Sequence, residues 1–358
     1  MKNQLSDGQC LLSRSECNVM RGFAILAIIS NNFGHLLNGI IQDNEFRYDY
    51  NNVSGYLEHL YTPNTNLLLD TLAFYSPFGV MLFIFLSGFG LTLKYENGNG
   101  NSITHKEFVV DHYRKLFLMQ MKGLALFLMV MFVFDPDYIV YFRHLVGQLF
   151  MIENLNPVDQ KILGGPYWFF GMIMEIYIIY RYVIYRRSSL FLMIVILLSL
   201  LIMSLCAPNG DTIRYLRINF CMALLPFGMG VLIARYGKLL IHSFNDIIKC
   251  FFAVAVFFAL LTICKFNFYS WLFMPIFIIG LSVPLTKLLC QSKKLASAFG
   301  WVGTLSGVIF VVHPIVREIL FQRVSIHGRY YGMLFVYIFL TIALSVILKP
   351  VFVKKNVV

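Results

Sequence analysis

The sequence predicts an all-α membrane protein. It should be a polytopic integral bundle of about ten transmembrane helices plus one short re-entrant or interfacial helix. Three observations predict this class. Hydrophobic residues make up 58% of 358 and charged residues only 13%, with a mean hydropathy of +0.71. A soluble domain carries about 25% charged residues, so this chain has too few to clothe a water-facing surface. Its apolar residues also gather into runs of about 20, the helical length that crosses ~30 Å of hydrocarbon. Finally, Lys and Arg collect in alternate loops, as the positive-inside rule requires.

In chain order the spans are expected at 19–41, 73–93, 114–134, 167–185, 188–206, 216–235, 249–264, 268–288, 299–320 and 331–352. The apolar stretch from Tyr138 to Ile152 is shorter and carries Arg143 and His144, so it suits a re-entrant or interfacial helix better than a span. Loop charge supports that choice. With ten spans, Lys94, Lys106, Arg114, Lys115, Arg181, Arg186, Arg187, Arg235, Lys238, Lys287, Lys293, Lys294, Lys354 and Lys355 share one face, which is then cytoplasmic. The opposite loops hold Asp43, Glu45, Asp49, Glu58, Asp70, Asp135, Asp137, Glu153, Asp159 and Asp211. An eleventh span would break this pattern. The expected organisation is a cytoplasmic segment 1–18, one transmembrane domain 19–353 and a cytoplasmic tail 354–358, in a cell membrane. The N-terminus lacks the short apolar core and cleavage site of a signal peptide, so the first apolar run is expected to stay as a span.

A net charge of +11 is explained by those loops. No basic run interleaved with aromatics marks a nucleic-acid surface. The seven cysteines are scattered and never in a Cys-x-x-Cys spacing, which gives neither a disulfide framework nor a zinc site. No His, Asp or Glu set has ligand spacing, so no metal is expected. The polar loop from Ile41 to about Leu69, rich in Asn, Asp and Tyr, reads either as the mouth of a carbohydrate site or as a solvated connector.

Ionisable groups in hydrocarbon are costly and point to function by default. The first span holds Arg21 and His35, with Asn31 and Asn32 between them. Fourteen residues separate Arg21 from His35, close to four turns, so both face one side about 21 Å apart. Arg21 has a structural reading as a snorkelling residue, and His35 has one as an interhelical hydrogen-bonding group. The functional reading gives Arg21 a phosphate to bind and His35 a hydroxyl proton to remove. Other candidates are Glu175, Lys122, Arg217 and His313. Glu175 and Lys122 are expected to pair with each other or with other buried charges. His313 precedes Pro314, whose freed carbonyl must be satisfied by polar neighbours, which favours a structural role.

At these residues the chain resembles the membrane acyltransferase family 3, whose members O-acylate bacterial surface sugars, antibiotics and related acceptors. The matching segments are MRGFAILAIISNNFGH (20–35), FGVMLFIFLSGFGLTLK (78–94), YRKLF (113–117), GPYWFFGMIMEIYIIY (165–180) and LSGVIFVVHPIV (305–316). The resemblance implies a bundle of ten or slightly more helices that uses acyl-CoA, acetyl-CoA above all, as donor substrate. It also implies Arg21 in the place of the family's first-helix arginine. Family members carry a His ten or eleven residues later, where this chain has Asn31 and Asn32, and His35 falls on a second His that some relatives have. Either His35 has taken the base role or the member is impaired. The family's basic R-x-x-R at the start of the third helix is reduced here to Arg114 and Lys115, so the donor-phosphate site it implies loses one arm. Tyr177 matches a family Tyr nine residues after Trp168, and Glu175 falls where relatives often have Gln. Ser87 and Gly88 read as helix packing.

The expectation is therefore transfer of an acetyl or other short acyl group from cytoplasmic acyl-CoA to a hydroxyl of a glycan or glycolipid. His35 would act as base with Asn31 or Asn32 orienting, and Arg21, Arg114 and Lys115 would hold the donor. The rival is a non-enzymatic transporter or sensor of a glycan or lipid-linked intermediate, and the absence of repeated halves counts against it.

Overall fold

A computed structural model describes residues 10–35, 37, 39–96, 103–135, 139–156, 165–241, 244, 246–323 and 329–352, and these hold fifteen α-helices and no strand. In order they are α1 (Arg14–Gly34), α2 (Tyr50–Tyr61), α3 (Leu67–Tyr75), α4 (Gly79–Tyr95), α5 (His105–Phe134), α6 (Phe142–Phe150), α7 (Trp168–Ile179) and α8 (Ser189–Ser204). There follow α9 (Asp211–Arg217), α10 (Phe220–Tyr236), α11 (Ile247–Cys264), α12 (Phe268–Trp271), α13 (Met274–Gln291), α14 (Lys293–Arg323) and α15 (Tyr330–Phe352). Residues 1–9, Asp137, Tyr138, Asp159, Lys354, Lys355 and the rest of the tail, all used in the topology expected above, lie outside the described residues.

Each expected span contains a helix. Among the described residues, seven helical stretches are long and apolar enough to cross a membrane: Leu67–Tyr95, His105–Phe134, Phe220–Leu240, Ile247–Cys264, Met274–Gln291, Lys293–Leu320 and Tyr330–Phe352. The other three expected spans fall short of that measure for identifiable reasons. The first helix, α1, is diluted by Asn18, Arg21, Asn31 and Asn32. Helix α7 has 12 residues and continues only through a π-helical turn at Tyr180–Ile184. Helix α8 is apolar but has 16 residues. The stretch after Tyr138 forms α6, only 9 residues long, too short to cross.

Several boundaries move from their expected places. A reciprocal cap starts α1 early: Ser13 N–H donates to Glu16 Oε2 at 2.8 Å and Glu16 N–H to Ser13 Oγ at 3.2 Å. The helix also ends at Gly34 rather than at 41, because the chain beyond is drawn aside by fixed partners. Ile41 N–H donates to Asp70 Oδ1 at 2.9 Å, and Asp43 pairs with the buried Lys265 at 2.5 Å. The expected span 216–235 is broken between α9 and α10 at Asn219, whose side chain donates to the carbonyls of Tyr215 and Asn154.

The first helix lies at the centre, packed most extensively on α14 and also on α4, α13, α3 and α15. Two crossings are close enough to require glycine. A methyl group on Gly22 would overlap the Phe299 carbonyl, and one on Gly303 would overlap the Asn18 carbonyl, which locks α1 to α14. Gly88 and Gly230 do the same between α4 and α10, against the carbonyls of Phe227 and Phe85. Small residues let helix backbones approach where lipid offers no hydrophobic drive for association, so Gly88 has the packing role expected of it.

Candidate active site

The polar residues of α1 open onto two cavities, one toward each end of the helix. The larger, of about 550 Å³, includes Asn31, Asn32 and His35 in its lining, together with Trp168, Phe310 and Arg317. The smaller, of about 310 Å³, takes in Arg21, Lys115, Phe83, Met119 and Phe170. Ile28, Val80 and Phe310 belong to both. Arg21, Ile28 and His35 follow one another at seven-residue intervals, nearly two turns each, so one face of α1 runs from the first cavity across the shared wall into the second.

At the outer end, His35 caps α1, its backbone N–H donating to Asn31 O at 3.1 Å, and its ring lies beside the backbone of Asp43. Asn32 is held from both sides. Its Nδ2 donates to Ile28 O at 2.9 Å, and its Oδ1 accepts from Arg317 Nη1 at 3.3 Å. Asn31 is buried, and its Oδ1 has no hydrogen-bond partner among the described residues. Buried polar atoms are normally satisfied, so this oxygen is available to a ligand in the cavity.

The segment after α1 closes over the outer cavity and contributes Asn44, Glu45, Phe46 and Arg47 to it. It is tied down throughout. Besides the Asp70 and Lys265 contacts, Glu45 O accepts from Arg217 Nε at 2.5 Å and Tyr48 N–H donates to Pro208 O at 3.0 Å. Arg47 pairs with Asp211. Of the polar loop read as a possible carbohydrate mouth, this first part lines the cavity. The Asn- and Tyr-rich part folds as the helix α2, which covers Phe74 and Tyr75 with Tyr56. The pKa of Glu45 is pushed up to about 7 by burial, with its own backbone N–H and Arg217 opposing.

At the inner end, Arg21 donates to Asn18 Oδ1 at 3.0 Å and faces the smaller cavity with Lys115. Arg114 is exposed and is not part of that lining, so the basic pair contributes one arm to the cavity.

The remaining candidates stand elsewhere. Glu175 and Lys122 do not pair. Glu175 accepts from Phe220 N–H at 2.8 Å, at the start of α10, and from Asn154 Nδ2 at 3.0 Å, while Lys122 donates to Val351 O at 2.7 Å. A carboxylate at a helix N-terminus is stabilised by its free N–H groups, and Glu175 does this for α10. Arg217 is buried against the Trp271 ring, its guanidinium 4.1 Å from the centroid. Tyr177 OH donates to Ser87 Oγ at 3.5 Å and packs on His112. His313 lines neither cavity, and its Nδ1 donates to Ile309 O at 3.2 Å beside Pro314. Tyr167 and Tyr337 donate to the carbonyls of Val311 and His313, so polar side chains bracket the proline as a membrane helix requires. Trp168 lines the outer cavity and meets Phe46 edge-on at 5.0 Å. Among the described residues no group of three or more His, Cys, Asp or Glu could hold a metal ion.

Sequence reasoning passed over Arg317, Arg47 and Arg214, which line the outer cavity. Arg317 could have been found, since it is a charge inside the expected span 299–320. Arg47 and Arg214 carry no such signal, because they lie in loop-like sequence and meet only through the fold.

In comparison with known families, a family model of the acyltransferase 3 type, described as an acyltransferase domain, matches residues 14–349. No curated protein and no solved structure shows significant similarity to the chain.

Proposed function

This chain belongs to the acyltransferase 3 family, a premise from which we propose that it moves an acetyl or other short acyl group from acyl-CoA to a hydroxyl of a glycan or glycolipid. The observation that carries this reading is the pair of cavities on one face of α1, which share Ile28, Val80 and Phe310 in their linings. The inner cavity offers cations at Arg21 and Lys115 beside an apolar interior, which suits phosphates next to an acyl-pantetheine arm. The outer cavity offers His35 beside the amides of Asn31 and Asn32, which suits a polyhydroxyl acceptor.

In this reading His35 takes the proton of the acceptor hydroxyl as its oxygen attacks the thioester carbonyl. The carbon–sulfur bond then breaks, and His35 returns the proton to the departing thiolate, leaving ester and free CoA. Asn31 and Asn32 orient the reacting groups, since an amide cannot serve as base. Arg21 and Lys115 position the donor, and Arg114 meets its phosphates only outside the cavity. We place the ten helices across the inner membrane with both termini cytoplasmic, an arrangement supported by the basic loops. Residues 19–353 form the one transmembrane acyltransferase domain.

The asparagines at 31 and 32 favour the rival reading, a transporter or sensor without chemistry, or an impaired enzyme. Mass spectrometry of surface glycans from cells with the native gene, a deletion and His35→Ala separates them. An acyl mass increment lost in the deletion and reduced about 10²–10⁴-fold in His35→Ala is the expected result. An increment kept in His35→Ala removes His35 as base. The absence of any gene-dependent increment, with no acyl-CoA binding by the folded protein, sinks the enzyme reading.

A further inference from the structure

The outer cavity holds more positive charge than a neutral sugar needs. Its lining includes the guanidiniums of Arg47, Arg214 and Arg317 beside His35, with Glu45 the one acidic side chain among them. The acids that pair with two of these arginines sit toward water. Asp211, the partner of Arg47, is 86% exposed in its side chain, and Glu318, 2.9 Å from Arg317, is 29% exposed. Arg47 Nε is buried with no hydrogen-bond partner among the described residues. The side chain of Arg214 has neither a hydrogen bond nor an ion pair among them. Burial and the neighbouring Arg47 cation hold the Arg214 pKa below the usual arginine range, with Asp211 opposing.

Crowding cations around a low-dielectric cleft costs stability unless a counter-charge joins them. Arginine is also the side chain whose planar fork matches a carboxylate or phosphate with paired hydrogen bonds. The placement runs against the general distribution of charge, because most basic loops lie at the other end of the bundle, with Lys94 and Lys287. Two other cations at this end are consumed by the fold: Lys265 by Asp43 and Arg217 by Glu45 O and Trp271. Arg47, Arg214 and Arg317 instead converge on open volume, and about 550 Å³ lies within the range that encloses a small ligand.

We propose that the acceptor carries an anionic group, a carboxylate or phosphate on the sugar, which Arg47, Arg214 and Arg317 hold while its hydroxyl lies at His35. This inference rests on the acyl-transfer reading for the hydroxyl and on the cavity alone for the anion.

The test measures equilibrium binding to the purified full chain in detergent by tryptophan fluorescence, with Trp168 in the cavity as reporter and no acyl donor present. The probes are methyl glucuronide, glucose 1-phosphate and the neutral methyl glucoside. The expected result is at least a tenfold preference for one or both anionic probes, weakened by salt. Which of the two binds better identifies the group as carboxylate or phosphate. Arg214→Gln should lose about tenfold on the anionic probes and nothing on the neutral one, and Arg214→Lys should keep part of the preference. Equal binding of charged and neutral probes, no binding of either anion, or an equal loss on all three in Arg214→Gln overturns the proposal. Displacement of the anionic probes by CoA overturns it too, since the arginines would then belong to the donor. An inactive protein that still binds the anions loses the acyl-transfer reading and keeps the anion site. An active enzyme that prefers neutral acceptors does the reverse.

Discussion

His35 and Glu45 stand ten positions apart and share one cavity, yet burial acts on them to different ends. The His35 ring lies beside the Asp43 backbone and on the cavity, where it can meet a hydroxyl. Glu45 is enclosed, and its carboxyl pKa rises from 4.5 to about 7. Between those values the folded chain holds a proton that the unfolded chain has released. Stability therefore falls as pH rises from about 4.5 to about 7 and is level above that. Glu45→Gln should remove this part of the slope. Thermal midpoints in detergent from pH 4.5 to 8 check it, and parallel curves for wild type and variant would refute it. The same protonation removes the negative charge from the cavity lining, so the anionic probes should bind more tightly below pH 7 in the wild type and lose that dependence in the variant.

At the scale of the helices, the site depends on how closely α1 meets α14. Arg317 reaches Asn32 at 3.3 Å only because Gly22 and Gly303 let the two backbones touch further along. Gly303→Ala places a methyl group on the Asn18 carbonyl, and overpacking of this kind costs about 1–3 kcal/mol. It should lower the thermal midpoint and reduce acyl transfer together, as the helices part and Arg317 leaves Asn32. Gly90→Ala is the control: it lies on α4 two residues beyond the tightly packed Gly88, and a methyl group there meets nothing within 4 Å. Equal effects from the two substitutions would mean that the α1–α14 contact does not govern the site. The glycines themselves are visible in the sequence, and Gly88 reads there as a packing residue. Their partners were not, because a close approach is a property of two helices, and Phe299 lies 277 positions from Gly22.

For the molecule as a whole, the arrangement that matters is the common wall of the two cavities. If donor and acceptor meet across it, a larger side chain at Ile28 should separate them without removing either binding surface. Ile28→Trp is expected to cut transfer at least tenfold while leaving equilibrium binding of CoA and of the anionic probes within about twofold. A variant that transfers at the native rate would mean that the reaction does not pass between Ile28, Val80 and Phe310. Hydropathy and composition by themselves determined that this is a helical membrane protein and roughly where seven of its long apolar helices lie. The reason is that a backbone in lipid must satisfy its own hydrogen bonds, which leaves helix as the local solution for each apolar run. The first-helix polar pair, and with it the faces of α1 that would open onto cavities, was legible for the same reason, since helical periodicity is local. Only the tertiary structure decided that α1 ends at Gly34, that the loop behind it folds back over His35, and that Arg47, Arg214 and Arg317 gather there. Those outcomes depend on pairings between distant segments, Asp43 with Lys265 and Arg47 with Asp211, and no local pattern along the chain records which distant charge a residue will meet.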